Sequence, residues 1–311
     1  MANLPTEILK IARPVHWVKN LAIFAALILS GDLLSKFLFG KVALAFGAFC
    51  FATSAGYIFN DILDAKLDRL HPIKKDRPIA AKRLPVPIAL TVMVAFVLAA
   101  FYLSAGLNYL FFLSLSGYLL LQASYSLGLK NLTIIDILII ATGFILRVYA
   151  GAFVIDAHLS VWFLLCVIST ALFLASGKRR AELGIISEAA AATRRSLTRY
   201  SRPLLDSYVT MFGNAAWLSW SLFTFFESPS PSLPLWLLLA EISRTTTISK
   251  LMMITIPIAI FGIMRYEGLI FENKTEAPEK LILSDIPLMT SVLLWLSMVI
   301  LIIYGGATIL S

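Results

Sequence analysis

The sequence predicts an all-α protein, a polytopic bundle of nine transmembrane helices. Three observations carry this reading. Of 311 residues, 59% are hydrophobic and only 14% charged, where a soluble domain has about a quarter charged. Apolar runs of the ~20 residues needed to cross a hydrocarbon core recur along the chain, separated by short polar links. The basic residues then fall into alternate links, as they do in membrane proteins that obey a fixed orientation. A single integral membrane domain over 1–311 follows.

The first run, 19–35, follows the segment RPVHWVKN, which is too long, aromatic and proline-bearing for the charged start of a signal peptide, so it is read as a span. The others cover 41–60, 85–103, 108–126, 133–152, 159–176, 205–226, 250–267 and 286–308. PLWLLLAEIS, residues 234–243, is apolar but too short to cross and reads as an interfacial or re-entrant helix. The two most charged links follow the second and sixth spans, four helices apart. That interval hints at a duplicated four-helix unit, although no residue-level repeat is visible.

With the N-terminus cytoplasmic, the inside links carry 21 Lys and Arg residues and the outside links 4, with Arg147 left inside a span. This bias places the N-terminus inside and the C-terminus outside. The formal charge of +8 does not point to nucleic acid, because the cations sit in links rather than along a polar helix face. Anionic lipid and phosphate are the better-suited partners. Cys50 and Cys166 lie in apolar runs and read as small core residues. His16, His71 and His158 make no zinc-ligand spacing.

The chemistry concentrates at NDILDAKLDRLHPIKKDRPIA, residues 60–80. On a helix prolonging the second span, Asp61, Asp64 and Asp68 stand at i, i+3 and i+7 on one face, with Asn60 one turn before Asp64. Like charges so placed repel unless a cation lies among them, and carboxylates with an amide oxygen are hard ligands that suit Mg²⁺ shared with phosphate. The alternative is a solvated helix end with Lys66 and Arg69 interleaved, but acidic clustering suits a helix C-terminus poorly. Beyond it, His71, Lys74 and Arg77 are candidates for phosphate contact, whereas Lys82 and Arg83 read as determinants of orientation. Tyr125, Lys130 and Asp136 bracket the fourth-to-fifth link on the same face. Arg147, deep in a span, should face the bundle and pair internally, for structure or for catalysis. Arg265 is an anchor or a phosphate ligand.

The pattern NDxxDxxxD at the end of the second span resembles the first aspartate-rich motif of the UbiA superfamily of intramembrane prenyltransferases. The longer string through HPxKxxRPIA is more similar to its decaprenyl-phosphate phosphoribosyltransferase branch. RPVHWVKN, YSLGLKNLTIID, GFILRVYAG, SGKRRAEL and FGIMRYEGLIFENKTEAPEKLILSD agree in family order over nearly the whole chain. Where aromatic-acceptor members carry a second aspartate-rich motif, this chain reads SGKRRAEL, with Lys178, Arg179 and Arg180 and only Glu182 as a carboxylate. Direct cationic contacts there fit a second anionic substrate better than a second metal does.

The resemblance therefore implies a UbiA-like bundle that transfers 5-phosphoribosyl from 5-phosphoribosyl diphosphate to a polyprenyl phosphate. Prenylation of an aromatic acceptor is the alternative. It implies Mg²⁺ held by Asn60, Asp61, Asp64 and Asp68, the three aspartates being catalytic. Lys19, Asn20, His71, Lys74, Arg77, Tyr125, Lys130, Asp136, Arg147, Lys178, Arg179, Glu182 and Arg265 would bind substrate. It also implies a prokaryotic plasma-membrane protein with a cytoplasmic active site and no nucleic-acid partner, and it admits a homo-oligomer.

Overall fold

The computed structural model describes residues 4–70, 74–185, 199–227, 229, 248–272, 281 and 284–305. The chain begins with helix α1 (Leu4–Ala12), turns at Arg13 and continues as a 3₁₀ helix over Pro14–Phe24 that runs into α2 (Ala25–Leu29). The two arms meet at 40°. The expected span 19–35 falls within the second arm alone, beginning in its 3₁₀ part and ending early at Leu29, and the bend precedes it. Pro14 lacks an amide to continue α1, and Arg13, with φ 52° and ψ 60°, takes a left-handed turn that breaks the ladder. Trp17 Nε1 donates to Ser54 Oγ at 3.0 Å, and that hydroxyl donates to the Ala12 carbonyl at 2.7 Å, which fixes the corner on the next helix.

That helix, α3 (Lys36–Asp68), runs 33 residues from an N-cap at Ser35. At 1.5 Å per residue it is about 50 Å long, against the ~30 Å of a hydrocarbon core, so its last turns carry residues 61–68 beyond the expected span. Buried Ala45, Ala48, Ala52, Ser54 and Ala55 give it a small-residue flank on which neighbours pack closely. The bundle continues with α4 (Val86–Ser104), α5 (Tyr109–Leu127), α6 (Ile135–Ile155), α7 (Val161–Ile185) and α8 (Arg202–Phe226). A 3₁₀ stretch over Ile248–Thr255 leads into α9 (Ile256–Phe271), and α10 covers Ile286–Tyr304. Asn108, Ser201 and Asp285 each accept an amide in the first turn of α5, α8 and α10.

Nine spans are expected, and the described residues hold seven helices long and apolar enough to cross, or eight if the bent N-terminal pair is one span. The remaining one, α8, has the length but not the apolarity, since Asp206, Ser207, Thr210, Asn214, Ser219, Ser221 and Thr224 interrupt it. The expected interfacial segment 234–243 lies outside the described residues. The protein is an integral membrane protein with multiple spans.

Two packing layers fix the relative heights of the helices. Around Phe49, Phe111, Leu115 and Tyr118, helices α2 to α6 share one buried cluster. The second half packs around Phe163, Trp220, Phe223 and Ile302, and α7 and α8 form the most extensive helix pair. Gly151 of α6 is where the 3₁₀ segment crosses. A Cβ there would overlap the Ile23 carbonyl oxygen, so only glycine permits the approach.

Candidate active site

Because successive helices alternate in direction, the end of α3, the start of α4, the α5–α6 link, the end of α7 and the start of α8 come to one end of the bundle. Ion pairs cross between them. Lys130, in a one-turn 3₁₀ helix over Leu129–Asn131, places its ammonium 2.5 and 2.6 Å from the two oxygens of Asp64 and 3.1 Å from Asn60 Oδ1. Asn60 Nδ2 also donates to Asp64 Oδ2 at 2.9 Å. Three hard oxygens thus converge on one compact charge.

Asp61 and Asp68 face a different pair of cations. Arg77 Nη1 donates to Asp61 Oδ1 at 3.0 Å and to Asp68 Oδ2 at 2.6 Å, while Arg13 Nη2 reaches both oxygens of Asp61 at 2.6 Å. Asp61 is 2% exposed and Asp68 5%. The expected single ligand face is therefore divided into Asn60 with Asp64 and Asp61 with Asp68. At about 100° per residue the four side chains still span one arc of the helix, and what divides them is the cation each pair meets, Lys130 on one side and Arg13 with Arg77 on the other. Among the described residues no three His, Cys, Asp or Glu side chains converge on one point.

The second charged half belongs to α7. Arg179, fully buried, pairs with Glu182, receives the Asp136 carboxylate at 3.1 Å from Nε and donates to the Tyr125 hydroxyl at 3.0 Å. Asp136 in turn accepts from Tyr200 at 2.7 Å. Asp136 and Glu182 are thus both engaged by Arg179. Lys178 lies within electrostatic reach of Lys19, Glu182, Arg179 and Tyr125. Arg180 turns away to Asp206 on α8 and lies over the Phe271 ring.

Of the residues expected from sequence, Asn60, Asp61, Asp64, Asp68, Arg77 and Lys130 come together in the first half, and Tyr125, Asp136, Lys178, Arg179 and Glu182 in the second. Lys74 stands in the short 3₁₀ turn Lys74–Asp76 on the loop that delivers Arg77. His71 lies outside the described residues.

Asn20 and Arg147 form a separate buried cluster. Arg147 Nε donates to Asn20 Oδ1 at 2.7 Å, Nη2 donates to Tyr118 at 2.9 Å and to Thr53 at 3.3 Å, and Nη1 donates to the Gly143 carbonyl. The internal partners expected for Arg147 are thus neutral oxygens and the Tyr118 ring, 4.6 Å from the guanidinium carbon. Arg265 is held as a fork by Asp285 at 3.0 and 2.7 Å, at the cap of α10.

Sequence reasoning passed over Arg13, Tyr200, Asp206 and Asp285. Arg13 stands in the quoted RPVHWVKN, and its position before a proline was the available signal. The others find partners 64, 26 and 20 residues away, a separation that no local pattern encodes.

These features define a polytopic helical membrane protein whose acidic and basic side chains gather at one end of its bundle. Comparison with known proteins makes the class specific. Residues 21–242 match the UbiA prenyltransferase family. A decaprenyl-phosphate phosphoribosyltransferase of Corynebacterium glutamicum is 34% identical over 97% of this chain and 88% of its own length. The Mycobacterium tuberculosis protein of that name is 35% identical over 72% of this chain and 76% of its own length. The fold resembles that of a UbiA homolog from Archaeoglobus fulgidus bound to GPP and Mg²⁺, with a TM-score of 0.70 at 18% identity over 96% and 99% of the two chains. The chain belongs to the UbiA prenyltransferase family.

Proposed function

We propose that the chain transfers a 5-phosphoribosyl group from 5-phosphoribosyl diphosphate to a long, decaprenyl-type polyprenyl phosphate, releasing diphosphate, at the cytoplasmic face of a prokaryotic plasma membrane. The observation that carries this reading is the second half of the site. Among the described residues its Asp136 and Glu182 carboxylates are engaged by Arg179, and a second anionic substrate suits the cations of the α7 end better than a second metal does. Similarity to proteins named for that activity over nearly the full length supports the same choice.

The donor set of the first half fits a hard dication. Asn60 and Asp64 already gather three oxygens about the Lys130 ammonium, and Asp61 and Asp68 add negative charge one turn away. We therefore assign Mg²⁺ to Asn60 and Asp64, with Asp61 and Asp68 in support. Bound there, the ion would offset charge building on the departing diphosphate. The remaining work belongs to the chain's own residues. Arg77 and Lys130, drawn from their aspartates toward incoming phosphates, orient the donor, and Lys19 and Lys74 add cations at its edge.

Lys178, with Arg179 fixed behind it, receives the lipid phosphate. A phosphate monoester has a second pKa of about 6 and is already an anionic nucleophile, so the reaction needs placement and charge neutralisation more than a general base. Oxygen attack on C1 opposite the diphosphate forms the new glycosidic C–O bond as the old one breaks, and it inverts C1.

The test is incubation of the purified protein with labelled 5-phosphoribosyl diphosphate, polyprenyl phosphate and Mg²⁺. Labelled lipid formed only with the metal is expected. An unlabelled lipid fraction together with prenylation of an aromatic acid from a polyprenyl diphosphate would overturn the proposal.

A further inference from the structure

Tyr200 lies between α7 and α8, 6% exposed, and the reaction described above makes no use of it. Its hydroxyl accepts the Ile134 amide at 2.6 Å and donates to Asp136 Oδ1 at 2.7 Å. Ile134 has φ 70° and ψ −47°. A positive φ in a β-branched residue is a true outlier, because its branched Cβ crowds the backbone carbonyl. Such a conformation persists only where the surroundings over-determine it. Ile134 is also the N-cap of α6 and has no side-chain cap. Its carbonyl accepts the Ile137 and Leu138 amides at 3.0 Å, while its own amide points out of the helical ladder to Tyr200.

The same short segment holds Lys130 at its other end, and Lys130 is the cation that grips Asp64 and Asn60. On the far side of the hydroxyl, Asp136 passes its second oxygen to Arg179. One phenol therefore touches both charged halves of the site, through a strained turn on one side and a carboxylate on the other. Burial raises its pKa well above the ordinary tyrosine value, so the hydroxyl keeps its proton and remains a donor to Asp136.

We propose that Tyr200 is a positioning residue for the transfer reaction. Its hydroxyl holds the turn over residues 129–134 in the strained form that keeps Lys130 beside Asn60 and Asp64, where it can turn to a donor phosphate, and it orients Asp136 toward Arg179. The catalytic consequence rests on the reaction proposed above, whereas the holding of the turn does not.

Tyr200→Phe removes the hydroxyl and little volume. In the purified full-length protein, amide hydrogen exchange across residues 129–137 should rise about tenfold, the scale of one strained conformation released. The KM for 5-phosphoribosyl diphosphate should rise by about the same factor with kcat little changed, as expected for loss of placement in the ground and transition states alike. Adding Ile134→Gly should restore most of that KM, since glycine holds a positive φ without a Cβ penalty. A hydroxyl that merely stabilised the fold would shift the melting temperature and gain nothing from the glycine. Unchanged exchange in Tyr200→Phe, or a KM that the glycine fails to recover, would overturn the proposal. If the wild-type protein forms no labelled lipid, it is the reaction that fails, and the exchange measurement still decides whether Tyr200 holds the turn.

Discussion

Asp61 and Asp64 stand three residues apart on one helix and meet different chemistry. Asp64 faces Lys130 with its side chain 21% exposed, so a soluble ion and its phosphate ligands can reach it. Asp61 is held on two sides by Arg13 and Arg77 and is all but sealed. Asp64→Asn should lower Mg²⁺-dependent turnover by about 100-fold or more through loss of a charged ligand, and should cost less stability than the change at Asp61, since Asp64 has one cationic partner where Asp61 has two. Asp61→Asn should cost about 2–3 kcal/mol of stability, somewhat less than breaking a fully buried pair because both arginines reach solvent. Activity and thermal melts of the two variants side by side check the contrast, and equal loss of activity at equal stability would refute it. The sequence placed both aspartates on one face and so could not separate them. What separates them is Arg13, whose left-handed turn before Pro14 is legible only once α1 is seen to fold back on α3.

At the scale of elements, apolar length was legible and helix continuity was not. The second to sixth expected spans became single helices, because each is an unbroken apolar run with no proline past its first turn. The first became only the second arm of a bent pair, a 3₁₀ segment running into the short α2, and α8 kept its helix while falling short in apolarity. The reason for the bend lies partly in a partner. The 3₁₀ segment is pinned to α6 by Arg147 through Asn20 and lies against Gly151 so closely that no side chain fits between them. Gly151→Ala gains helix propensity of about 1 kcal/mol from the backbone, yet it forces the 3₁₀ segment outward, an overpacking cost of roughly 1–3 kcal/mol. Net destabilisation in a detergent melt is the expected outcome. Because Lys19 rides on the displaced segment, the donor KM should rise too. A variant as stable and active as the parent would show that the crossing is slack.

At the scale of the whole molecule, one physical asymmetry organises the rest. Cations that favour one face of a bilayer also recognise phosphate, so the residues that orient the chain and those that build its site are drawn from the same links. Lys130 and Arg77 meet the acidic motif in the structure, and their position in alternate links is the signal that puts them on its side. Tyr200 and Asp285 carry no such charge signal and were invisible. The asymmetry can be measured. Asp76, in the turn that delivers Arg77, and Asp32, beyond α2, are both exposed, while native Cys50 is buried and Cys166 is only partly exposed. In a background with both native cysteines replaced by alanine, Asp76→Cys in sealed right-side-out vesicles should be shielded from a membrane-impermeant maleimide until the vesicles are opened. Asp32→Cys should react at once. The reverse pattern would put the aspartates and the α7 cations on the outer face, away from any cytoplasmic supply of a water-soluble phosphoribosyl donor, and the proposed reaction would fall with the orientation.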